Sequence, residues 1–458
     1  MNKEFFTGKT VLVMGLGRFG GGVDVAKFAC GAGAKVIITD LASRQRLSDS
    51  IKQLGACPSI EYHLGGHVAT DFEEADIIVA NPAVAGDNEF LKIARQQKKF
   101  ITSQINIFFE LCPASIIGIT GANGKSTTTA LTAHLLRSQI GRKDFKYSNV
   151  WLSGNIGNEP LLGHLDRISS EDLVVLELSS FQIEQLAQIK KAPQIALLTN
   201  LTPNHLDRHG SFANYCQAKE NIFKFQKLDK NYPAVSIFNA EDKVGAEWLG
   251  KYKSDVGRRC IGYSVDDVNE EIRQQFRLPG RANTSNLAAA IAIARCFTVD
   301  YELIKACLPK FKSLPHRLEF VAESNGVKWY NDSIATTPQS VIVALDAFEQ
   351  PKIIIAGGYD KNLSFDELGG KIAEKAKAAI LIGQTAPKIA HSIKLCCPKC
   401  LTTIEMVNTL DEAVDLARRL AVSGDVVLLS PACASYDMFD NFQHRGQIFR
   451  ELVNKLCH

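Results

Sequence analysis

No run of 18 consecutive apolar residues occurs among the 458 residues, so the sequence predicts no helix that crosses a membrane. Neither sign of charge prevails. The 52 Lys and Arg nearly balance 49 Asp and Glu, and a formal charge of +3 gives no basic footprint for nucleic acid or an anionic membrane. A secretory leader is not expected either, because Met1-Asn-Lys-Glu-Phe-Phe6 is charged and lacks a long apolar stretch. Paired cysteines are scarce. Most of the 12 cysteines stand singly in apolar contexts, as Cys30, Cys216, Cys296 and Cys307 do, which suits reduced, buried thiols of a cytoplasmic protein. The exception is Cys396-Cys397-Pro-Lys-Cys400. Its C-x-x-C pair is half a zinc site, and no second pair completes it, so a plain exposed loop is expected. What is present is globular: 46% hydrophobic and 22% charged residues, in a length that predicts about three domains.

The chain is organised around Ile116-Ile-Gly-Ile-Thr-Gly-Ala-Asn-Gly-Lys-Ser-Thr127. Its β-branched start reads as a buried strand, Gly121-Ala122-Asn123-Gly124 as a glycine turn, and Lys125-Ser126 as the opening of a helix to Arg137. That is a phosphate cradle. Backbone N–H groups and the helix N-terminus face an anion, Lys125 adds a point charge, and Ser126 Oγ suits Mg²⁺. The usual G-x-x-x-x-G-K-[ST] spacing calls for glycine at 119, where Ile119 stands, so the loop is a variant.

Upstream, the strand Thr10–Met14 runs into Gly15-Leu-Gly17-Arg18-Phe19-Gly20, a helix, and a second strand ending at Asp40. Asp40 lies where a ribose-binding acid follows a G-x-G-x-x-G turn. This Rossmann-like fingerprint suits NAD, another diphosphate such as a UDP group, or a turn needed only for helix–strand packing. A later strand, Ala75–Ala80, ends in the loop Asn81-Pro82, where such crevices lie.

Downstream, polar residues recur at strand ends. Ser153-Gly-Asn155-Ile-Gly157 is a tight turn, and the apolar run Asp172–Glu177 ends in an acid where a Mg²⁺-associated carboxylate sits in phosphate-loop proteins. The strand Ile195–Asn200 leads to His205-Leu-Asp207. Lys219 sits on a helix over about 211–225, with Tyr215 and Phe223 four residues to either side, so it projects from an apolar face. It either snorkels to water or is desolvated to a neutral amine able to capture CO₂ as a carbamate. Asn283 and Asn286 precede an alanine-rich helix, Leu287–Arg295, as caps or as nucleotide contacts. The last third alternates strands and helices again, a second Rossmann-like sheet. Its loops carry Pro315-His-Arg317, Asn331–Thr336, Gly357–Lys361 and Ser430–Ser435, and Tyr436–Gly446 leads into the final helix.

Thr120-Gly-Ala-Asn-Gly-Lys-Ser126, Ser153-Gly-Asn-Ile-Gly157, Glu177-Leu-Ser-Ser-Phe-Gln182, His205-Leu-Asp-Arg208, Leu314-Pro-His-Arg317, Asn331-Asp-Ser333 and Leu428-Leu-Ser-Pro-Ala-Cys-Ala-Ser435 together resemble the Mur ligase family. The resemblance spans nearly the whole chain. The Ser-Ser-Phe-Gln and Leu-Ser-Pro-Ala-Cys-Ala-Ser runs are similar to its D-glutamate-adding branch. It implies an α/β protein of three domains: a Rossmann-like UDP-substrate domain (1–102), a central ATPase-like parallel sheet (103–312) and a Rossmann-like amino-acid domain (313–458). It implies an ADP-forming amide ligase of peptidoglycan precursor synthesis, monomeric and cytoplasmic, joining D-glutamate to UDP-N-acetylmuramoyl-L-alanine through an acyl phosphate. ATP and two Mg²⁺ ions would serve it.

By the same resemblance, Gly121, Ala122, Asn123, Gly124, Lys125, Ser126, Thr127, Asn286, Arg317 and Asp332 would hold ATP. Ser126, Glu177, His205 and carbamylated Lys219 would hold metal, with Lys125, His205 and Lys219 catalytic. Gly17, Arg18, Phe19, Asp40, Asn155 and Ser179 would hold the UDP substrate, and Thr336, Lys361, Ser435 and Phe442 D-glutamate. The sequence departs from the family at Ile334, where lysine is frequent, and at Ala282, in place of histidine. An amide ligase of the same architecture that adds a different amino acid or extends a folate tail, an NAD-dependent oxidoreductase using Gly15–Gly20 and Asp40, and a nucleotide switch are the rival readings. The oxidoreductase leaves the phosphate loop and Lys219 unexplained, and the switch leaves the C-terminal loops idle.

Overall fold

The protein is described here by a computed structural model covering residues 1–18, 20–57, 60–154, 161–297, 299–397 and 401–456. It is an α/β protein built on three sheets. The first holds β1 (Thr10–Met14), β2 (Lys35–Asp40), β3 (Ile60–Leu64), β4 (Ile77–Ala80) and β5 (Phe100–Thr102), all parallel in the order β3-β2-β1-β4-β5. The second holds β6 (Ser115–Thr120), β7 (Asn149–Gly154), β8 (Asp172–Glu177), β9 (Ile195–Leu198), β10 (Ala234–Asn239) and β11 (Arg258–Tyr263), parallel in the order β11-β10-β9-β6-β8-β7. In the third, β12 (Glu319–Ser324), β13 (Val327–Asn331), β14 (Lys352–Gly357), β15 (Ala376–Ile382), β16 (Thr403–Met406) and β17 (Val426–Leu429) lie in the order β12-β13-β17-β14-β15-β16. Only β12 runs antiparallel to its neighbour.

The central strands are continuous apolar runs because helices cover both faces of a parallel sheet. Every residue of β8 and of β14 is buried. β12 and β16 went unread in the sequence for the complementary reason. They are edge strands, their residues are mostly half-buried or exposed, and no apolar run marks them.

By contacts the chain forms two compact bodies. One comprises Met1–Asn269 and Asn286–Cys307 and holds the first two sheets. The other comprises Glu270–Ser285 and Leu308–His458 and holds the third. Within the first body a single apolar cluster runs from Val11, Val13 and Val36 of the first sheet to Val174, Leu176 and Leu198 of the second. Asp24, 5% exposed on the helix Gly21–Gly31, adds a polar tie. It accepts hydrogen bonds from Leu162 N (2.8 Å), Gly163 N (2.9 Å) and Gln104 Nε2 (2.5 Å).

One helix start is corrected. The alanine-rich helix spans Arg281–Ala294 rather than beginning at Leu287, so Asn283 and Asn286 lie in its first two turns instead of capping it. Alanine periodicity marks only the buried stretch, and the polar first turns gave no signal.

Candidate active site

β6 delivers the phosphate loop, and the end of β9 braces it. Ala122 N donates to Asn200 O (2.8 Å), Asn123 N to Asn200 Oδ1 (3.0 Å), and Thr199 Oγ1 to Asn123 O (2.6 Å). The glycines are required by close approach. A Cβ on Gly121 (φ +150°) would stand 1.9 Å from Thr199 Oγ1, and one on Gly124 (φ +80°) 2.2 Å from Asn286 Oδ1. Gly124 caps the helix Lys125–Arg137 in the left-handed conformation, which leaves that helix's first N–H groups facing the loop. Lys125 Nζ donates to Ala122 O (2.9 Å), and Thr128 Oγ1 to Asn286 Oδ1 (3.3 Å). Thr199 and Asn200, which brace the loop, were missed as site residues. Their place at the end of the neighbouring strand was the available signal.

Lys219 lies under this loop on the helix Phe212–Lys224, 1% exposed. It does not snorkel. Its Nζ donates to Thr120 Oγ1 (3.0 Å), whose hydroxyl donates to Leu178 O (2.8 Å). Burial pushes the amine well below its ordinary range and Lys125 pushes it further, with Glu177 opposing. Glu177, 2% exposed, closes β8. His205 adopts φ +52°, ψ +36° as it enters the short helix Leu206–His209, with its ring 5.3 Å from Phe181. Desolvation, then Lys125 and Lys219, depress its pKa. Lys125, Glu177, His205 and Lys219 thus belong to one electrostatic neighbourhood in the first body. The donors are hard: the Glu177 carboxylate, a hydroxyl at Ser126 and the His205 imidazole, a set that suits Mg²⁺. As it stands, no group of three or more His, Cys, Asp or Glu with metal-holding geometry occurs among the described residues.

In the first sheet, Asp40 closes the Gly15–Gly20 turn. Its Oδ2 accepts Gly17 N (3.0 Å) and its Oδ1 accepts Ala42 N (2.7 Å). Arg18 is exposed beside it. Ser179 caps the helix Ser180–Gln188 in a capping box with Gln182. Phe19 and Asn155 lie outside the described residues, as does Cys400, so only Cys396 and Cys397 of that cluster are seen.

The second body gathers the remaining candidates around the carboxyl ends of β13, β14 and β17. Asp332, 5% exposed, accepts Leu318 N (3.1 Å) and Ser430 Oγ (2.8 Å). Burial pushes its carboxyl up to about 7, against those bonds and the nearby Arg317. Ser435 is buried, Thr336 and Phe442 are half-buried, and Lys361 is exposed. The residue that ties these loops together was not singled out. Arg445, 1% exposed, donates to Ser333 Oγ (3.0 Å), Ser333 O (2.9 Å), Cys433 O (3.1 Å) and Ala434 O (3.4 Å). Phe442, Ile448 and Phe449 at helical spacing, the pattern that marked Lys219, could have exposed it.

Three family models match the chain: the MurD-like N-terminal domain of Mur ligases over residues 9–103, the Mur ligase middle domain over 119–277, and the Mur ligase glutamate ligase domain over 316–433. Among curated proteins, the UDP-N-acetylmuramoylalanine–D-glutamate ligase of Roseiflexus sp. (strain RS-1) is 38% identical, covering 97% of this chain and 98% of its own. The protein of that name from Acetivibrio thermocellus is 38% identical, with 99% and 98% covered. Among solved structures, the UDP-N-acetylmuramate–alanine ligase of Thermotoga maritima shares the fold at a TM-score of 0.59 and 20% identity, covering 98% of this chain and 99% of that one. The MurF ligase of Thermotoga maritima in complex with ADP does so at 0.56 and 16%, covering 99% and 97%.

Proposed function

The chain belongs to the Mur ligase family, and we propose that within it this protein joins D-glutamate to UDP-N-acetylmuramoyl-L-alanine with ATP, releasing ADP and phosphate. The supporting observation is the strand-end cluster of Lys125, Glu177, His205 and fully buried Lys219, in a chain that matches D-glutamate-adding relatives from end to end. A carboxylate acylates an amine only after its oxygen becomes a good leaving group. Transfer of the ATP γ-phosphoryl group supplies that leaving group as an acyl phosphate. The D-glutamate amine then attacks, and phosphate departs from the tetrahedral intermediate.

Lys125 and the amides opening the helix Lys125–Arg137 offset charge on the phosphoryl group. Ser126, Glu177, His205 and Lys219 hold Mg²⁺, two ions in this reading, and bound Mg²⁺ supplies charge neutralisation. Lys219 serves as a carbamate. Its neutral nitrogen bonds to the carbon of CO₂ as one C–O π bond opens, and the nitrogen loses one proton, so a neutral amine becomes an oxygen ligand carrying one negative charge. Asn286, Arg317 and Asp332 contact the nucleotide. Gly17, Arg18, Phe19, Asp40, Asn155 and Ser179 contact the UDP substrate, and Thr336, Lys361, Ser435 and Phe442 frame D-glutamate.

The functional boundaries in this reading are 1–102, 103–312 and 313–458. The protein acts as a cytoplasmic monomer supplying cell-wall precursor for growth and division. The decisive experiment offers UDP-N-acetylmuramoyl-L-alanine and ATP with a panel of D- and L-amino acids and reads phosphate release. Release only with D-glutamate supports the assignment. Release without any amino acid, or with a different one, overturns it.

A further inference from the structure

A cleft of about 780 Å³ opens at the edge of the central sheet where β6, β9 and β10 begin, with Ser115, Ile195 and Val235 in its wall. It lies away from the nucleotide machinery. β6 runs its six residues from Ser115, in the cleft wall, to Thr120, which leads into the phosphate loop, and a strand of that length spans roughly 17–20 Å. One side of the cleft is aromatic and braced. Tyr147 and Phe297 have ring centroids 5.6 Å apart, and each packs on Phe145, at 5.5 and 6.4 Å. Phe145 is 8% exposed and anchors the group, while Tyr147 and Phe297 are half-buried at the wall. Tyr232, 78% exposed, stands on the rim. Its turn is fixed: Asp229 Oδ1 accepts Asn231 N (2.8 Å) and Tyr232 N (3.3 Å), and Gln194 Nε2 donates to Tyr232 O (3.1 Å) and Pro233 O (3.2 Å).

Three exposed cations, Lys146, Lys227 and Arg259, share this cleft, and among the described residues none of them has a carboxylate within ion-pairing distance. Two acids line it. Asp229 is engaged in closing the Tyr232 turn, which leaves Asp144 against three positive charges. Lys146 Nζ lies 5.2 Å from the centroid of the Tyr147 ring, and braced aromatic faces beside cations with no carboxylate partner are the recognition chemistry of a flat ring joined to a phosphate. The ring stacks, and the cations take the charge. The volume also falls in the range of small-molecule sites.

We propose that this cleft is a second ligand site, separate from the ligase centre, for an aromatic ring carrying a phosphate dianion, of which a nucleoside monophosphate is the simplest form. The site does not compete with ATP, because β6 separates the two.

The test is a calorimetric titration of the full chain with adenosine 5′-monophosphate while a non-hydrolysable ATP analogue and UDP-N-acetylmuramoyl-L-alanine saturate the ligase centre. One site per chain is expected, weakening as salt is raised. Ribose 5-phosphate and adenosine should each bind at least about tenfold more weakly, since each lacks half of the recognised group. Lys227→Ser with Arg259→Ser, both exposed positions, should weaken the nucleotide at least about tenfold and leave ligase turnover unchanged. No binding at millimolar nucleotide overturns the site, as does binding that the double variant does not alter. Ribose 5-phosphate binding as tightly as the nucleotide removes the role of the aromatic wall. A short oligothymidylate that binds about a hundredfold more tightly than the mononucleotide, and loses that binding in the double variant, replaces the small-ligand site with a nucleic-acid track.

Discussion

Lys219 and Arg445 are each 1% exposed, and the fold treats the two cations in opposite ways. The guanidinium keeps its charge by donating to a hydroxyl and three carbonyls. The amine has one hydroxyl partner, and burial drives it toward neutrality. Lys219→Ala is therefore predicted to lower kcat by at least about a hundredfold, with partial rescue by acetate or bicarbonate. Full activity in the variant would remove the carbamate from the mechanism. Asp332 carries a pH prediction. Its carboxyl rises from an ordinary 3.8 to about 7, so the folded state holds the proton more tightly than the unfolded one. The stability this lends is complete below pH 3.8 and is lost as pH rises through about 7. Asp332→Asn cannot titrate. Measured against it by urea unfolding, the wild type should lose up to roughly 4 kcal/mol between acid and pH 8, being a rise of about three units at 1.36 kcal/mol each. A stability difference that stays flat across that range contradicts the prediction.

Among the elements, the phosphate loop shows how sequence spacing and tertiary contact divide the work. The strand–glycine–Lys-Ser–helix order was legible despite Ile119, because β-branched residues, glycines and a helix start each carry a local signal. The reason for glycine at 121 was not, since it lies in Thr199, 78 residues away in sequence. Gly121→Ala is predicted to destabilise the first body by roughly 2–4 kcal/mol and to abolish ADP binding in a titration. Unaltered ADP affinity would show that the loop can relax away from Thr199. β12 and β16 illustrate the limit of periodicity, for an edge strand buries too little to enforce a pattern.

On the scale of the whole molecule, the division into two bodies predicts two calorimetric unfolding transitions. Gly121→Ala should lower only one of them. Arg445→Met leaves the carbonyls of Ser333 and Cys433 without their donor and should lower only the other, by about 3 kcal/mol, while raising KM for D-glutamate more than KM for ATP. A single transition shifted by both variants would mean that the bodies unfold as one. The sequence by itself determined the α/β class, the phosphate loop, the strand-end acids and the family, because buried parallel strands, glycine turns and the residues following them are written in contiguous runs. Only the tertiary structure decided that Lys219 is sealed rather than snorkelling, that Asp40 closes its own turn, that Arg445 ties the C-terminal loops together, and that an aromatic, cationic cleft opens behind the central sheet. Desolvation, hydrogen-bond partners and cavities depend on residues tens to more than a hundred positions apart, and no local pattern carries that information.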